Sequence, residues 1–259
     1  MIKLSIITVN YNNVAGLQKT IMSVQNQIFK DFEHIIIDGG SSDGGVDLIK
    51  KHEKRISYWI SETDRGIYHA MNKGIEKAKG EYLLMLNSGD YLQDNLVLET
   101  VFNKSNLSDI IYGNVLWDDN GEKYLETFPN VLTFGFLRSG FLSHQAAFIR
   151  RKLHGLVGLY DEKYRIISDQ KFFLLAICKY NVSYEHLPLA ISICDRNGIS
   201  CKPENFKLIH TEKKNVIAEE FPAFIQDYIK LDENINKYNF SKHILVVRIR
   251  EKVKKWLNY

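Results

Sequence analysis

Cysteine is scarce in this chain, and its three copies, Cys178, Cys194 and Cys201, are odd in number and form no C-x-x-C pair. That excludes a disulfide-stapled fold and a zinc or dithiol site of the usual spacing, and it predicts reduced thiols in a cytoplasmic protein. Long apolar runs are missing too. Nothing approaches the roughly 18 apolar residues of a membrane span, and the run opening MIKLSIITVN is too short for the apolar core of a signal peptide. Neither sign of charge is in large excess: 34 Lys and Arg against 31 Asp and Glu leave +3, which gives no ground for a nucleic-acid partner. With 45% hydrophobic and 25% charged residues, neither disorder nor a fibrous repeat is indicated. Glycine-rich phosphate loops are also absent. NYNNVAG, after the first apolar run, supplies neither G-x-G-x-x-G nor G-x-x-x-x-G-K-[ST]. Dinucleotide-binding, P-loop and sugar-nucleotide-forming nucleotidyltransferase readings are weakened together.

What is present is an alternation of periods. KLSIITVNY is a β-branched run, and Val14, Leu17, Ile21 and Val24 then recur at the spacing of an amphipathic helix. EHIIID reads as a second strand stopped by GGSSDGG, VDLIKKHE as a short helix and ISYWIS as a third strand. GIYHAMNKGIEKAKG reads as a helix closed by Gly80, and EYLLML as a fourth strand running into Asn87-Ser88-Gly89-Asp90. This order predicts an α/β fold with a mostly parallel twisted sheet flanked by helices. Ligands of such sheets sit at the carboxyl ends of the strands. Asn10, Asp38 to Asp43, Glu62 to Gly66 and Asn87 to Asp90 are therefore predicted to share one edge.

After residue 105, DIIYGNVLW and EKYLETF suggest a hairpin around DDNGE, SDQKFFLLAICKYN a helix, and VSYEHL and LAISICD two strands. Charged, helix-like segments follow from 203. One domain over 1–202 with a helical C-terminal extension over 203–259 is the expected organisation. Along the shared edge, Asp38, Asp64 and Asp90 are suited to accept from a base N–H or a ribose hydroxyl, or to ligate a divalent cation. Each alone also suits a turn or a helix cap.

Taken in order, SIITVNYN, IIIDGGSSDGG and ETDRGIYHAMNKGIEKAKGEYLLMLNSGD resemble the nucleotide-sugar-binding half of the family 2 glycosyltransferases, which have the GT-A fold. The resemblance covers roughly 1–115, with 116–202 as the acceptor and catalytic half. It implies inverting transfer of a sugar from a nucleotide diphosphate donor, UDP-linked, to a hydroxyl of a saccharide or lipid-linked acceptor in cell-surface polysaccharide or lipopolysaccharide assembly. It carries Thr8, Asn10, Asp38 and Asp64 into the nucleoside pocket, with Arg65, Asn72, Lys73, Asn87 and Ser88 completing the donor set. The last acid of the family's D-x-D motif falls on Asp90, which implies a Mn2+ or Mg2+ cofactor. Asn87 stands where the family usually has an acid, so most metal ligands are expected from the diphosphate itself.

YRIISDQKFFLLAI resembles the segment carrying the catalytic base and puts that base at Asp169, with Asp161 as the competitor. SGFLSHQAAFIRR resembles the acceptor-side segment and brings His144 and Gln145 toward donor sugar or acceptor. CDRNGIS resembles the loop closing over the diphosphate, through Gly198 and Ser200, with Arg196 a further cation. The stretch 240–259 is basic and amphipathic with Trp256, suited to peripheral contact at the inner face of a membrane. The alternative carried forward is a catalytically inactive relative that binds nucleotide or saccharide as an assembly component. Donor sugar, acceptor and oligomeric state are not legible.

Overall fold

In the computed structural model the strands form one sheet in the order β3-β2-β1-β4-β8-β6-β9-β5, with β7 paired to β6. The structure describes residues 2–103, 108–119, 121–196, 198–227, 229–231, 233–234 and 237–238. The first part is β1 (Leu4–Asn10), α1 (Val14–Gln25), β2 (Phe32–Asp38), α2 (Gly45–His52), β3 (Tyr58–Ser61), α3 (Ile67–Lys77) and β4 (Tyr82–Met85). β1 pairs in parallel with β2 and β4, and β2 with β3.

These strands read as continuous apolar runs because helices cover the sheet: Ile6, Ile7, Ile35, Ile36, Ile37 and Leu84 are all fully buried. Each contributes about 1.5–3 kcal/mol by leaving water. α1 starts on Asn13, whose side chain accepts from the Gly16 amide, and it buries Leu17, Thr20, Ile21 and Val24. α3 lies directly on β1. A Cβ at Gly74 would come within 2.4 Å of Ile7 Cγ2, so the helix approaches this closely only with glycine there.

Beyond β4 come β5 (Tyr91–Leu92), α4 (Val97–Phe102), β6 (Ile110–Asp119), β7 (Glu122–Glu126), α5 (Phe134–Ser139) and β8 (Ala147–Arg150). They are followed by α6 (Leu153–Leu156), α7 (Ser168–Cys178), β9 (Tyr184–Asp195) and α8 (Phe206–Glu220). Here the sheet is mixed: β8 runs antiparallel to β4 and β6, β9 parallel to β6, and β5 antiparallel to β9. The expected parallel sheet thus holds for β3-β2-β1-β4 and gives way beyond it.

The hairpin forms as β6 and β7, with Gly121 at φ +99 in the turn. Asn120 lies outside the described residues. The two strands expected around Pro188 are one strand, β9. Proline did not end it, because the β6–β9 register shifts between Tyr112 and Asn114 and leaves Pro188 in the irregular stretch. Gly113 permits the crossing, since a Cβ there would sit 2.5 Å from Ile191 Cγ1 and 2.6 Å from the Leu189 carbonyl.

Residues 1–213 form one compact unit and 214–259 a second, so the division falls within α8. No helix among the described residues is long and apolar enough to cross a membrane. The stretch 240–259 singled out for membrane contact lies outside the described residues.

Candidate active site

The ends of β1, β2 and β3 converge on Asp38. One carboxylate oxygen accepts from Asn10 Nδ2 at 2.7 Å and Ser41 Oγ at 2.6 Å; the other accepts from the Ser41 amide at 2.9 Å and Ser61 Oγ at 2.6 Å. Burial raises the tendency of this carboxyl to keep its proton. The Ser41, Ser61 and Asn10 donors outweigh it and hold Asp38 below the ordinary carboxylate range. Gly40, at φ +82, lets the chain fold back over the carboxylate. Asp43 then accepts from the first amides of both neighbouring helices, Val14 at 2.7 Å and Gly45 at 3.0 Å. The GGSSDGG turn therefore ties the ends of β1 and β2 to the starts of α1 and α2.

Asp64 follows β3. Its Oδ1 meets Lys73 Nζ at 2.6 Å and His69 Nδ1 at 2.9 Å. Burial pulls the Lys73 ammonium down, but Asp64 and Glu62 more than offset this and raise it, so Lys73 stays cationic. The other oxygen of Asp64 is buried without a partner. It lies beside Gly39, where a Cβ would be 3.5 Å from it and 3.2 Å from the Tyr11 ring.

The turn after β4 is held from α1. Thr20 Oγ1 reaches the Asp90 carbonyl at 2.7 Å and receives the Gly89 amide at 3.1 Å, and Asn13 Nδ2 donates to the Ser88 carbonyl at 3.0 Å. Gly89, at φ +104, supplies the reversal. Asp90 is buried, and burial pushes its carboxyl up to about 6 against the pull of Gln145 and His144. Gln145 Nε2 donates to Oδ2 at 3.1 Å and the Asp195 amide to Oδ1 at 3.2 Å, which joins this turn to the end of β9.

Asp169 heads α7, where its charge also complements the helix dipole. The Tyr68 hydroxyl, from α3, lies 2.9 Å from Oδ1 and 2.5 Å from the Ile166 carbonyl, which share its one hydrogen, and His144 Nδ1 lies 2.7 Å from Oδ2. His144 Nε2 in turn lies 3.2 Å from Asn87 Nδ2. A continuous chain of hydrogen bonds thus runs from the acid at α7 to the turn carrying Asp90. Burial, and then the Asp169 charge, raise the Tyr68 phenol well above its usual range, so it remains a donor. Asp161 instead pairs with Lys171 at 2.9 Å.

Asn10, Asp38, Asp64, Asn87, Asp90, His144, Gln145 and Asp169 are thus all built into these three networks, around Asp38, around Asp64 and from Asp90 to Asp169. Thr8 and Asn72 are not. Thr8 is fully buried with its hydroxyl 3.0 Å from His34 Nε2. Its side chain is core because it lies under the sheet end rather than at it. Asn72 donates to the Tyr160 carbonyl at 2.8 Å and accepts from the Tyr160 amide at 2.9 Å, which staples α3 to the segment before α7. Arg65 is turned toward Glu162, 2.7 Å away, and Ser88 takes part through its backbone. Arg196 pairs with Asp119 at 3.2 Å. Gly198 and Ser200 fall in and beside a short 3-10 turn (Ile199–Cys201), and Asn197 lies outside the described residues.

Sequence reasoning missed Tyr68 and Glu212. The Glu212 carboxylate, on α8, accepts from the amides of Arg165, Ile166 and Ile167 at 2.8, 3.1 and 3.3 Å, bracing the segment that delivers Asp169. Beside it, Lys213 donates to the Ser139 and Gly140 carbonyls at 3.0 and 2.7 Å, at the end of α5. A helix-period pattern gives no sign of either job. The one available signal was an acid on a helix face that its neighbours bury.

Among the described residues, no group of three or more His, Cys, Asp or Glu side chains is arranged to hold a metal ion. Asp90 is the single carboxylate on its turn, and each of its oxygens takes one protein donor, leaving a lone pair on each. One such ligand fits a cation whose other ligands are diphosphate oxygens and water.

A mixed sheet of this order, with its polar loops gathered at the ends of β1 to β4 and an acid heading α7, defines a glycosyltransferase of the GT-A type. The sequence model described as Glycosyl transferase family 2 matches residues 5–160. An uncharacterized glycosyltransferase of Mycobacterium tuberculosis is 34% identical over 180 residues, covering 66% of this chain and 68% of that protein. A PGL/p-HBAD biosynthesis glycosyltransferase of Mycobacterium bovis is 33% identical over 174 residues, covering 65% and 67%. Among solved structures, S. aureus TarS 1-349 in complex with UDP matches with a TM-score of 0.62 at 18% identity, over 84% of this chain and 70% of that one. The mannosyltransferase PcManGT from Pyrobaculum calidifontis, in complex with GDP-Man and Mn2+, matches with a TM-score of 0.55 at 14% identity, over 74% and 56%. The chain belongs to glycosyl transferase family 2.

Proposed function

We propose that this chain is an inverting transferase that moves a sugar from a nucleotide diphosphate donor, UDP-linked, to a hydroxyl of a saccharide or lipid-linked acceptor in cell-surface polysaccharide or lipopolysaccharide assembly. One observation carries the donor reading. Three buried side-chain oxygens at or just beyond the ends of β1, β3 and β4, Asn10 Oδ1, Asp64 Oδ2 and Asn87 Oδ1, have no hydrogen-bond partner. Buried acceptors are rarely left unpaired, and a row of them suits a ligand that brings several donors, such as a base N–H and ribose hydroxyls. The UDP held by TarS and the PGL/p-HBAD name of the mycobacterial relative support the same reading.

Residues 1–115 take the donor and 116–202 the acceptor, and α8 follows them. Asn10, Asp38 and Asp64 recognise the nucleoside, with Lys73 and Asn87 beside them. Asp90 holds a divalent cation, Mn2+ or Mg2+, which when bound supplies positive charge to the departing diphosphate. Gln145 keeps the Asp90 carboxylate turned to the site. Asp169 takes the proton of the acceptor hydroxyl on the face opposite the leaving group. Its two donors use one lone pair on each oxygen and leave the others for that proton.

The test is nucleoside diphosphate release from a panel of UDP- and GDP-sugars with saccharide and lipid-linked acceptors, with and without Mn2+. Turnover lost in Asp169→Asn supports the assignment, and full turnover in that variant overturns the base. UDP binding by calorimetry with no turnover across the panel favours the inactive binding relative instead.

A further inference from the structure

His144 and Gln145 are neighbours on one 3-10 turn (His144–Ala146), yet they reach three separate groups of the site. Gln145 donates to Asp90, at the end of the turn after β4. His144 lies against Asn87, at the start of that same turn, and against Asp169 on α7. The imidazole is mostly buried, with 13% of its side chain exposed, so both ring nitrogens are committed.

The hydrogen positions follow from elimination. With Asn87 Nδ2 facing the ring, Nε2 accepts, and the ring hydrogen sits on Nδ1, pointing at Asp169. Turning the Asn87 amide by half a rotation gives its unpartnered Oδ1 a donor in Nε2–H, and the ring then carries hydrogen on both nitrogens. In either arrangement Nδ1–H donates to the Asp169 carboxylate. Amide and imidazole adjust to each other, and the bond to the acid does not change.

We propose that His144 is a positioning residue that fixes the Asp169 carboxylate from the donor side, with Asn87 as its anchor. It rests on the reading of Asp169 as the base. The orientation of the base is thereby tied to the turn that carries Asp90, because adjacent residues grip both ends of that turn. It also gives a chemical reason for an amide at position 87. An amide can face the imidazole with either end, whereas a carboxylate there would be a second acid sharing the imidazole with Asp169.

The experiment uses the full-length chain and two readouts. In two-bond 1H–15N spectra of the histidine rings, His144 is expected to carry hydrogen on Nδ1 in the wild type and to lose that signature in Asp169→Ala. A neutral ring with hydrogen on Nε2 alone overturns the proposal, whether or not any donor is turned over. The second readout is kcat and KM with the UDP-sugar that the release assay identifies. His144→Asn keeps an N–H near the Nδ1 position and is expected to retain kcat within about tenfold, while His144→Gln, which mimics Nε2, falls by ~10²-fold or more with little change in donor KM. Equal loss in both variants, with Asp169→Asn also inactive, overturns the positioning role. Activity surviving in Asp169→Asn instead overturns the base reading on which it rests.

Discussion

The surroundings of Asp38 and of Asp169 are built by opposite strategies. Asp38 draws its donors from residues 3, 23 and 28 positions away, Ser41 in the turn that follows it and Ser61 and Asn10 at the ends of the flanking parallel strands. Asp169 draws its donors from residues 25 and 101 positions away, and the segment before it is braced from 45 to 47 positions further along the chain. One region is assembled by neighbouring strand ends, which close small loops at little entropic cost. The other exists only once α3, the 144–146 turn, α7 and α8 have come together. The lesson is that the Asp38 and Asp169 surroundings, which the proposed function reads as nucleoside pocket and base, are separate physical constructions in this fold, with His144 and Gln145 linking Asp169 to the turn that carries Asp90.

Mutations can break that separation at either side. The largest effect is expected from Asp169→Asn, which should lower nucleoside diphosphate release by ~10²–10⁴-fold while leaving UDP affinity by calorimetry within about threefold. A parallel collapse of UDP binding would mean that the two regions are one. Next, Glu212→Ala strips the acceptor from the buried Ile166 and Ile167 amides and from the Arg165 amide beside them, and urea denaturation should show a loss of about 3 kcal/mol. If Glu212→Ala were as stable as the wild type, the brace on α7 would be dispensable.

Asp90→Asn sharpens the comparison in the other direction. Because the folded-state carboxyl is raised to about 6, its stabilising contribution is present below its unfolded value near 3.8 and is lost as pH rises through about 6. In metal-free buffer at pH 7 the variant should therefore be more stable by about 3 kcal/mol, an advantage that disappears toward pH 4, while transfer is lost. A pH-independent difference between the two proteins would refute that origin. The smallest effect is expected from Ser61→Ala, which removes one donor from Asp38 and should cost about 1 kcal/mol at neutral pH. Asp38 is held below its ordinary range, so this contribution is present at neutral pH and fades as acid protonates the carboxylate.

The same contrast explains what the sequence could disclose. β1, β2, β3 and β4, with the helices between them, were legible because burial on both faces leaves continuous apolar runs, and polar residues then mark where each strand stops. Asp38, Asp64 and Asp90 followed from that alternation alone. That Thr8 is buried against His34 was not legible, because strand pattern does not say which side chain lies across the sheet. The bonds of Asn72 were not legible either, because its partner, the Tyr160 backbone, is 88 residues off. The bond between His144 and Asp169 was invisible, although each residue was singled out, since no local pattern records which distant side chains meet. The short elements β5, α4 and β8 carry too few residues for any period to emerge.

Glu212 also has a consequence in time. A chain leaving the ribosome carries every side chain that surrounds Asp38 once β3 has emerged. The segment that sets Asp169, by contrast, waits for an acid that is made more than forty residues after it. Synthesis therefore completes the surroundings of Asp38 long before the brace behind Asp169, which on the proposed reading puts the nucleoside pocket ahead of the base.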